Sequence, residues 1–202
     1  MTIAPDGRSL HGDIVRLDRL VASDIDSLYA AIASEQVYAG GFGGGPAAIP
    51  ADVGHMRETW IPAAANRVAY VVRLAADSEL GAEGTVVGTS SLADVDLHNE
   101  RTHLGFTGYA PAVWGTKVNP AAKLLLLQHA FEDCGFGRVK IQTGLANTRS
   151  QAAIAKLGAT REGVLRRHMK LADGSWRDTV VFSILADEWP DVRKKLQDRI
   201  SG

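Results

Sequence analysis

Between residues 102 and 127 an extended run stops at Pro111, turns through Trp114-Gly115-Thr116-Lys117-Val118-Asn119 and enters a helix directly. Asn119 is a good cap and Pro120 suits the first helical position, which predicts where the helix starts. The amides from Trp114 to about Ala122 then lack helical acceptors and can converge on an anion, a pyrophosphate included. An ordinary capped turn between strand and helix would show the same spacing, so this pattern alone leaves both readings open.

The rest of the chain sets this turn in a mixed α/β arrangement. Apolar and charged residues alternate from Val15 to Leu20, predicting a half-buried strand over residues 14–20. Ser23, followed by Asp24 and Asp26, starts a helix that ends near Ser34, and a second helix covers residues 51–60. The glycine-rich residues 40–46 between them form a loop, because glycine loses the most entropy on ordering. β-Branched runs at 67–74 and 85–92 predict a hairpin, and residues 102–109 a third strand. A long helix follows over 120–134, striped by Leu124, Leu127 and Phe131. Next come a strand at 139–145, a short helix at 150–157 closed by Gly158, and a hairpin around Asp173-Gly174-Ser175. A charged helix over about 190–200 ends the chain. The order predicts an α/β fold of one domain over residues 1–202, its core at about 14–189, with helices on both faces of a mixed sheet. A doubly wound nucleotide fold is excluded: strands and helices do not alternate strictly, and no glycine turn follows the first strand.

Composition narrows the function classes. With 202 residues, 46% hydrophobic and 22% charged, the chain is globular rather than disordered or rod-like. Its 22 basic and 23 acidic residues give a net charge of -1, which offers no global attraction to nucleic acid or anionic lipid. The single Cys134 cannot form an internal disulfide, and residues 1–12 lack the apolar run of a signal peptide. No apolar run approaches the roughly 20 residues of a membrane span. The cytoplasm is the expected compartment, with no membrane partner.

A second stretch identifies the relationship. Asn147-Thr148-Arg149-Ser150 leads into Leu157-Gly158-Ala159, followed by Glu162-Gly163. This order after the strand, turn and helix resembles the GCN5-related N-acetyltransferases (GNAT), in particular the RimJ/RimL-like branch that acetylates ribosomal-protein amino ends. The resemblance spans about residues 14–189. It implies a GNAT fold with a centrally splayed sheet, in which acetyl-coenzyme A lies between two parallel strands, here 102–109 and 139–145. Its pyrophosphate would sit on Trp114, Gly115, Thr116, Lys117, Val118 and Asn119, with Lys123 further along the helix and Asn147 and Ser150 on the other side. Relatives use a Gln or Arg, a glycine and a second Gly or Ala in this turn, where the chain has Trp114, Lys117 and Asn119. Only Gly115 keeps extra backbone freedom, while the Lys117 ammonium is able to add a phosphate contact.

The implied reaction needs a proton removed from an amine, a tetrahedral oxyanion stabilised and a thiolate protonated. The oxyanion donor is expected from a backbone amide of the 102–109 strand. His103 stands where relatives often carry a glutamate, and an ordinary imidazole pKa near 6.5 suits a base at neutral pH. The tyrosine that many relatives use as the acid falls at Ile154, so Ser150 is the substitute candidate. A carboxylate found in ribosomal-protein relatives falls at Met169. The acceptor is an amine, on a protein amino terminus or alternatively a small molecule; a non-catalytic acyl-coenzyme A sensor is the reading from another class. A homodimer is compatible with either.

Other features are assigned lesser roles. Nine Lys or Arg against two carboxylates between residues 138 and 177 make a basic stretch, but without interleaved aromatic residues nucleic acid is not the favoured partner. The glycine run lacks the Gly-Lys-Ser/Thr of a phosphate loop and is read as a substrate-side loop. His11, His55, His98, His129 and His168 show no ligand spacing, so no metal is expected. Cys134 reads as a packing residue, and Arg177 with Asp178 as a structural pair.

Overall fold

The computed structural model describes residues 1–65 and 67–202. In chain order the elements are β1 (Leu10–His11), β2 (Val15–Arg19), α1 (Ile25–Ile32), α2 (Glu35–Ala39), α3 (Val53–Ala64), β3 (Arg67–Leu74), β4 (Val86–Asp96) and β5 (Arg101–Tyr109). There follow α4 (Val118–Gln128), β6 (Arg138–Gly144), α5 (Thr148–Ala155), β7 (Thr160–Lys170), β8 (Trp176–Leu185) and α6 (Trp189–Ser201). The strands form one sheet in the order β1-β2-β3-β4-β5-β6-β8-β7. Every pairing is antiparallel except β5 with β6, which is parallel. None of these helices is long and apolar enough to cross a membrane.

Strand alternation sends successive side chains to opposite faces, so the sheet supports two cores. Val15, Leu17, Tyr70, Val72 and Leu104 pack with Leu126 and Leu127 of α4 and with Trp189, Val192 and Leu196 of α6. On the other face Ala69 and Val71 meet Ile25, Leu28 and Ile32 of α1 and Met56 of α3. Each such aliphatic side chain contributes about 1.5–3 kcal/mol by leaving water. The two cores clamp the sheet and leave the junction of β5 and β6 free to differ.

Three local expectations are corrected. Asn119 does not cap α4: the helix starts at Val118, two residues before Pro120, because the Thr116 hydroxyl accepts the Val118 N–H at 3.3 Å while donating to the Val113 carbonyl at 2.7 Å. Nor does that helix run evenly to Cys134; it widens into a π-turn over His129–Asp133. Ser23 makes no cap, since a 3-10 turn over Ala22–Asp24 precedes α1 and the Asp24 carboxylate accepts the Val21 N–H at 3.0 Å. Residues 40–46 are a connection as expected, yet one carrying two 3-10 turns, Phe42–Gly44 and Pro46–Ala48, after the short additional helix α2.

Candidate active site

β5 and β6 pair only at Arg101–Arg138, Thr102–Val139 and His103–Lys140. Beyond His103 they part, and the β6-facing edge of β5 has no strand partner. The opening starts beside a bulge in β5, where the register with β4 shifts between Thr89 and Ser91 and Phe106 takes a φ of 52°. A bulky residue in the left-handed region costs on the order of 1 kcal/mol, and bulges re-aim a strand at such places. The splayed cleft follows from this.

At the open end stands the turn before α4. Gly115 has a φ of 77°, which an L side chain adopts only under strain. Lys117 has a φ of -72°, so a second glycine is not needed there. The N–H groups of Gly115, Lys117 and Asn119 have no acceptor among the described residues. Three free donors at a helix amino end, with the exposed Lys117 beside them, fit a diphosphate. Trp114 is fixed by its Nε1–H, which donates to the Tyr109 carbonyl at 2.9 Å.

The opposite bank is α5. The Asn147 side-chain Oδ1 accepts the Ser150 N–H at 3.0 Å, so it caps α5, and its side-chain nitrogen lies beside Gly41. The Arg149 guanidinium lies over the Trp114 ring, 3.9 Å from its centroid, joining the two banks. Phe42 of the glycine-rich segment meets Tyr38 edge-on at 5.2 Å and sits against Gly108 of β5, where a Cβ would fall 2.8 Å from its ring. Ile154 is buried in the core, and Met169 is exposed on β7.

Two buried titratable groups line the sheet at the splay. The Lys123 ammonium is not directed at the turn but into the sheet, 2.8 Å from Thr107 Oγ1 and 3.4 Å from Ser90 Oγ. Burial alone brings its pKa down to about 7. His103 is 5% exposed, its Nε2 is buried without a partner, and its Nδ1 lies 3.5 Å from Asp94, whose carboxylate accepts from Lys140 at 2.9 Å. Burial and the nearby Lys140 push its pKa down to about 4, against the ordinary imidazole value expected from sequence. His103 is therefore neutral at pH 7 and a weaker base than expected.

The structure thus gathers the 114–119 turn, Asn147 and Ser150 around the opening, with His103 and Lys123 on its sheet walls. Sequence reasoning missed Ser90, Thr107, Asp94, Lys140 and Arg67, which reach the site only through strand register. Arg177 and Asp178 do not pair: Arg177 donates to Thr179 Oγ1 at 3.3 Å and Asp178 accepts the Arg167 N–H at 2.8 Å. Part of the basic stretch is spent internally, Arg138 on Glu162, Lys140 on Asp94 and Arg167 over Trp176. Cys134 is buried, and burial pushes its thiol pKa up to about 11, as suits a packing residue. Among the described residues no group of three or more His, Cys, Asp or Glu side chains is placed to hold a metal ion.

Comparison with known proteins matches residues 15–160 to the acetyltransferase (GNAT) domain. YdaF of Bacillus subtilis (strain 168), provisionally named a ribosomal N-acetyltransferase, is 29% identical over 140 residues, covering 69% of this chain and 74% of its own. A GCN5-related N-acetyltransferase from Brucella melitensis has a similar structure, with a TM-score of 0.84 at 27% identity over 98% of this chain and 87% of that one. Mycobacterium smegmatis RimJ, solved in complex with CoA-disulfide, shares the fold at 20% identity, with a TM-score of 0.65 and coverages of 94% and 92%.

Proposed function

We propose, from the premise that this chain belongs to the GNAT acetyltransferase family and is an acetyl-transferring enzyme, that its acceptor is the amino terminus of a protein. The acetyl group passes from acetyl-coenzyme A by direct attack, with both substrates held at once. The observation that carries the acetyl-coenzyme A half of this reading is the trio of unsatisfied amides at Gly115, Lys117 and Asn119, beside the place where the parallel pair β5 and β6 comes apart. The provisional name of the Bacillus subtilis relative favours a ribosomal protein as acceptor and the cytoplasm as the place.

Bound acetyl-coenzyme A would supply the activated acyl thioester; the chain supplies placement. Within the turn Trp114, Gly115, Thr116, Lys117, Val118 and Asn119, the free N–H groups of Gly115, Lys117 and Asn119 would hold the diphosphate together with the Lys117 ammonium, while Trp114, Thr116 and Val118 shape the turn through their own internal bonds. The unpaired edge of β5 offers backbone partners to the extended arm, and Lys123 places its ammonium against that wall at Thr107. The side-chain nitrogen of Asn147 is free for the same arm, because its oxygen is committed to the cap. Ser150, whose hydroxyl has no protein partner among the described residues, stands as the proton donor to the departing sulfur. His103 Nε2, neutral and unpartnered, stands as the acceptor for the amine's proton.

A second reading, a protein that binds acyl-coenzyme A without turnover, is favoured by the burial of Ile154, which has no proton to give. Thiol release from acetyl-coenzyme A, measured with a panel of peptides and small amines, separates the two. Acceptor-stimulated release, with an acetyl mark on the peptide α-amine in mass spectrometry, is the expected result. Tight cofactor binding without such release would overturn it in favour of the second reading.

A further inference from the structure

One row of residues crosses the sheet on the face that carries α1 to α3: Arg67 pairs with Ala93, Ala93 with His103, His103 with Lys140 and Lys140 with Ser183. Arg177 projects from the same face, two residues from Thr179 and six from Ser183 along an unbroken β8. Arg67 overlies Phe106 of β5, 4.3 Å from the ring centroid. Arg177 crosses Gly144 of β6, its Cδ 3.2 Å from where a side chain would begin. β5 and β6 are the strands that part, so the two guanidinium groups flank the cleft.

Both arginines are half-buried, and neither meets a carboxylate among the described residues. Arg67 donates from Nη1 to the Ala63 carbonyl at 3.2 Å and leaves Nε buried without a partner. Arg177 reaches only Thr179 Oγ1 at 3.3 Å and Met169 Sδ at 2.9 Å, the latter a weak acceptor. Elsewhere the fold pairs its part-buried arginines, Arg73 with Asp18 and Asp24 and Arg138 with Glu162. Burial draws the pKa of Arg67 and of Arg177 down, as expected for cations that lose part of their water without gaining a carboxylate. Lys140 on the same face is paired with Asp94, so that carboxylate is not available to either arginine.

We infer that Arg67 and Arg177 select an acceptor carrying a carboxylate next to its amine, such as a peptide amino terminus that begins with Asp or Glu, or a free amino acid. The inference rests on the acetyl-transfer reading above and names the acceptor's chemistry. Arginine's planar fork suits a carboxylate, and a desolvated site strengthens the bond. The same carboxylate would offset the positive charges of Lys140, Lys123 and Arg177 that oppose protonation of His103, so the imidazole becomes a better base once the acceptor is seated.

The test uses matched acceptors. Tripeptides differing only as Asp against Asn or Glu against Gln at the first position, together with free aspartate and glutamate, are titrated calorimetrically into the protein saturated with coenzyme A. The acidic member of each pair is expected to bind about tenfold tighter or more. That ratio should fall toward one in Arg67→Gln and Arg177→Gln and be partly kept in Arg177→Lys, which retains the charge. Tighter binding of the tripeptides than of the free amino acids assigns the site to a protein terminus, and the reverse order to a metabolite. Equal binding of acidic and amide members by the wild type, or an undiminished ratio in both Gln variants, would overturn the inference. Acidic preference in binding with no thiol release from acetyl-coenzyme A would support it and contradict the transferase reading instead.

Discussion

Replacing Gly115 by valine is expected to raise the dissociation constant for coenzyme A by about a hundredfold, because several charge-assisted bonds, each worth roughly 1.5–3 kcal/mol, lose their alignment. A Cβ at Gly115 would have nothing within 4 Å, so the added branch point falls in open space. What it changes is the backbone: at a φ of 77° an L residue pays about 1–2 kcal/mol, and a β-branched one more. The turn relaxes by rotating its peptides, and the amides of Gly115, Lys117 and Asn119 no longer face one point. Calorimetric titration with coenzyme A measures the loss, and thermal unfolding shows that the fold survives. An unchanged dissociation constant would remove the turn from the binding site.

The second large effect concerns stability. Lys123→Met is expected to stabilise the protein by an amount on the order of 3 kcal/mol below pH 7, where the wild type must keep a cation buried without a carboxylate. The Lys123 pKa falls from an ordinary 10.5 to about 7 in the fold. Between those values the folded chain binds fewer protons than the unfolded one, so wild-type stability rises with pH across this window. The advantage of the variant should therefore be fully present below pH 7, shrink as pH rises and vanish near 10.5. The hydroxyls left behind are not orphaned, since Ser90 and Thr107 bond one another at 2.7 Å. Urea unfolding at pH 6 and pH 10 checks this; an equal difference at both, or a less stable variant at pH 6, would contradict it. A cost of that size, kept at the wall of the cleft, marks a position retained for something other than stability.

Much of this architecture could be read from residue order. The alternation after Val15, the β-branched hairpin and the stripe through Leu124, Leu127 and Phe131 fall in observed strands and helices, because local pattern and burial agree there. The turn before α4 was legible for the same reason, although its capping group was not. Asn119 had the better intrinsic preference for the cap, but the Thr116 hydroxyl lies where the Val118 amide needs it. Protonation states were out of reach. His103 and Lys123 have ordinary pKa values until the fold buries them, and nothing in sequence spacing announces that Lys123 turns toward Thr107 or that Lys140 lies beside His103. Arg67 and Arg177 stand 110 positions apart in the chain and come to one face only through the register of five strands, β3 to β6 and β8.

On this reading a diphosphate is gripped by main-chain donors before α4 while the gap between β5 and β6 receives the rest of the coenzyme. Amide resonances followed by NMR during titration with coenzyme A test it most directly. Large shifts are expected at Gly115, Lys117 and Asn119 and along the β6-facing edge of β5, with α6 and β1 unmoved. Saturation that left those three amides where they were and shifted another surface would contradict it.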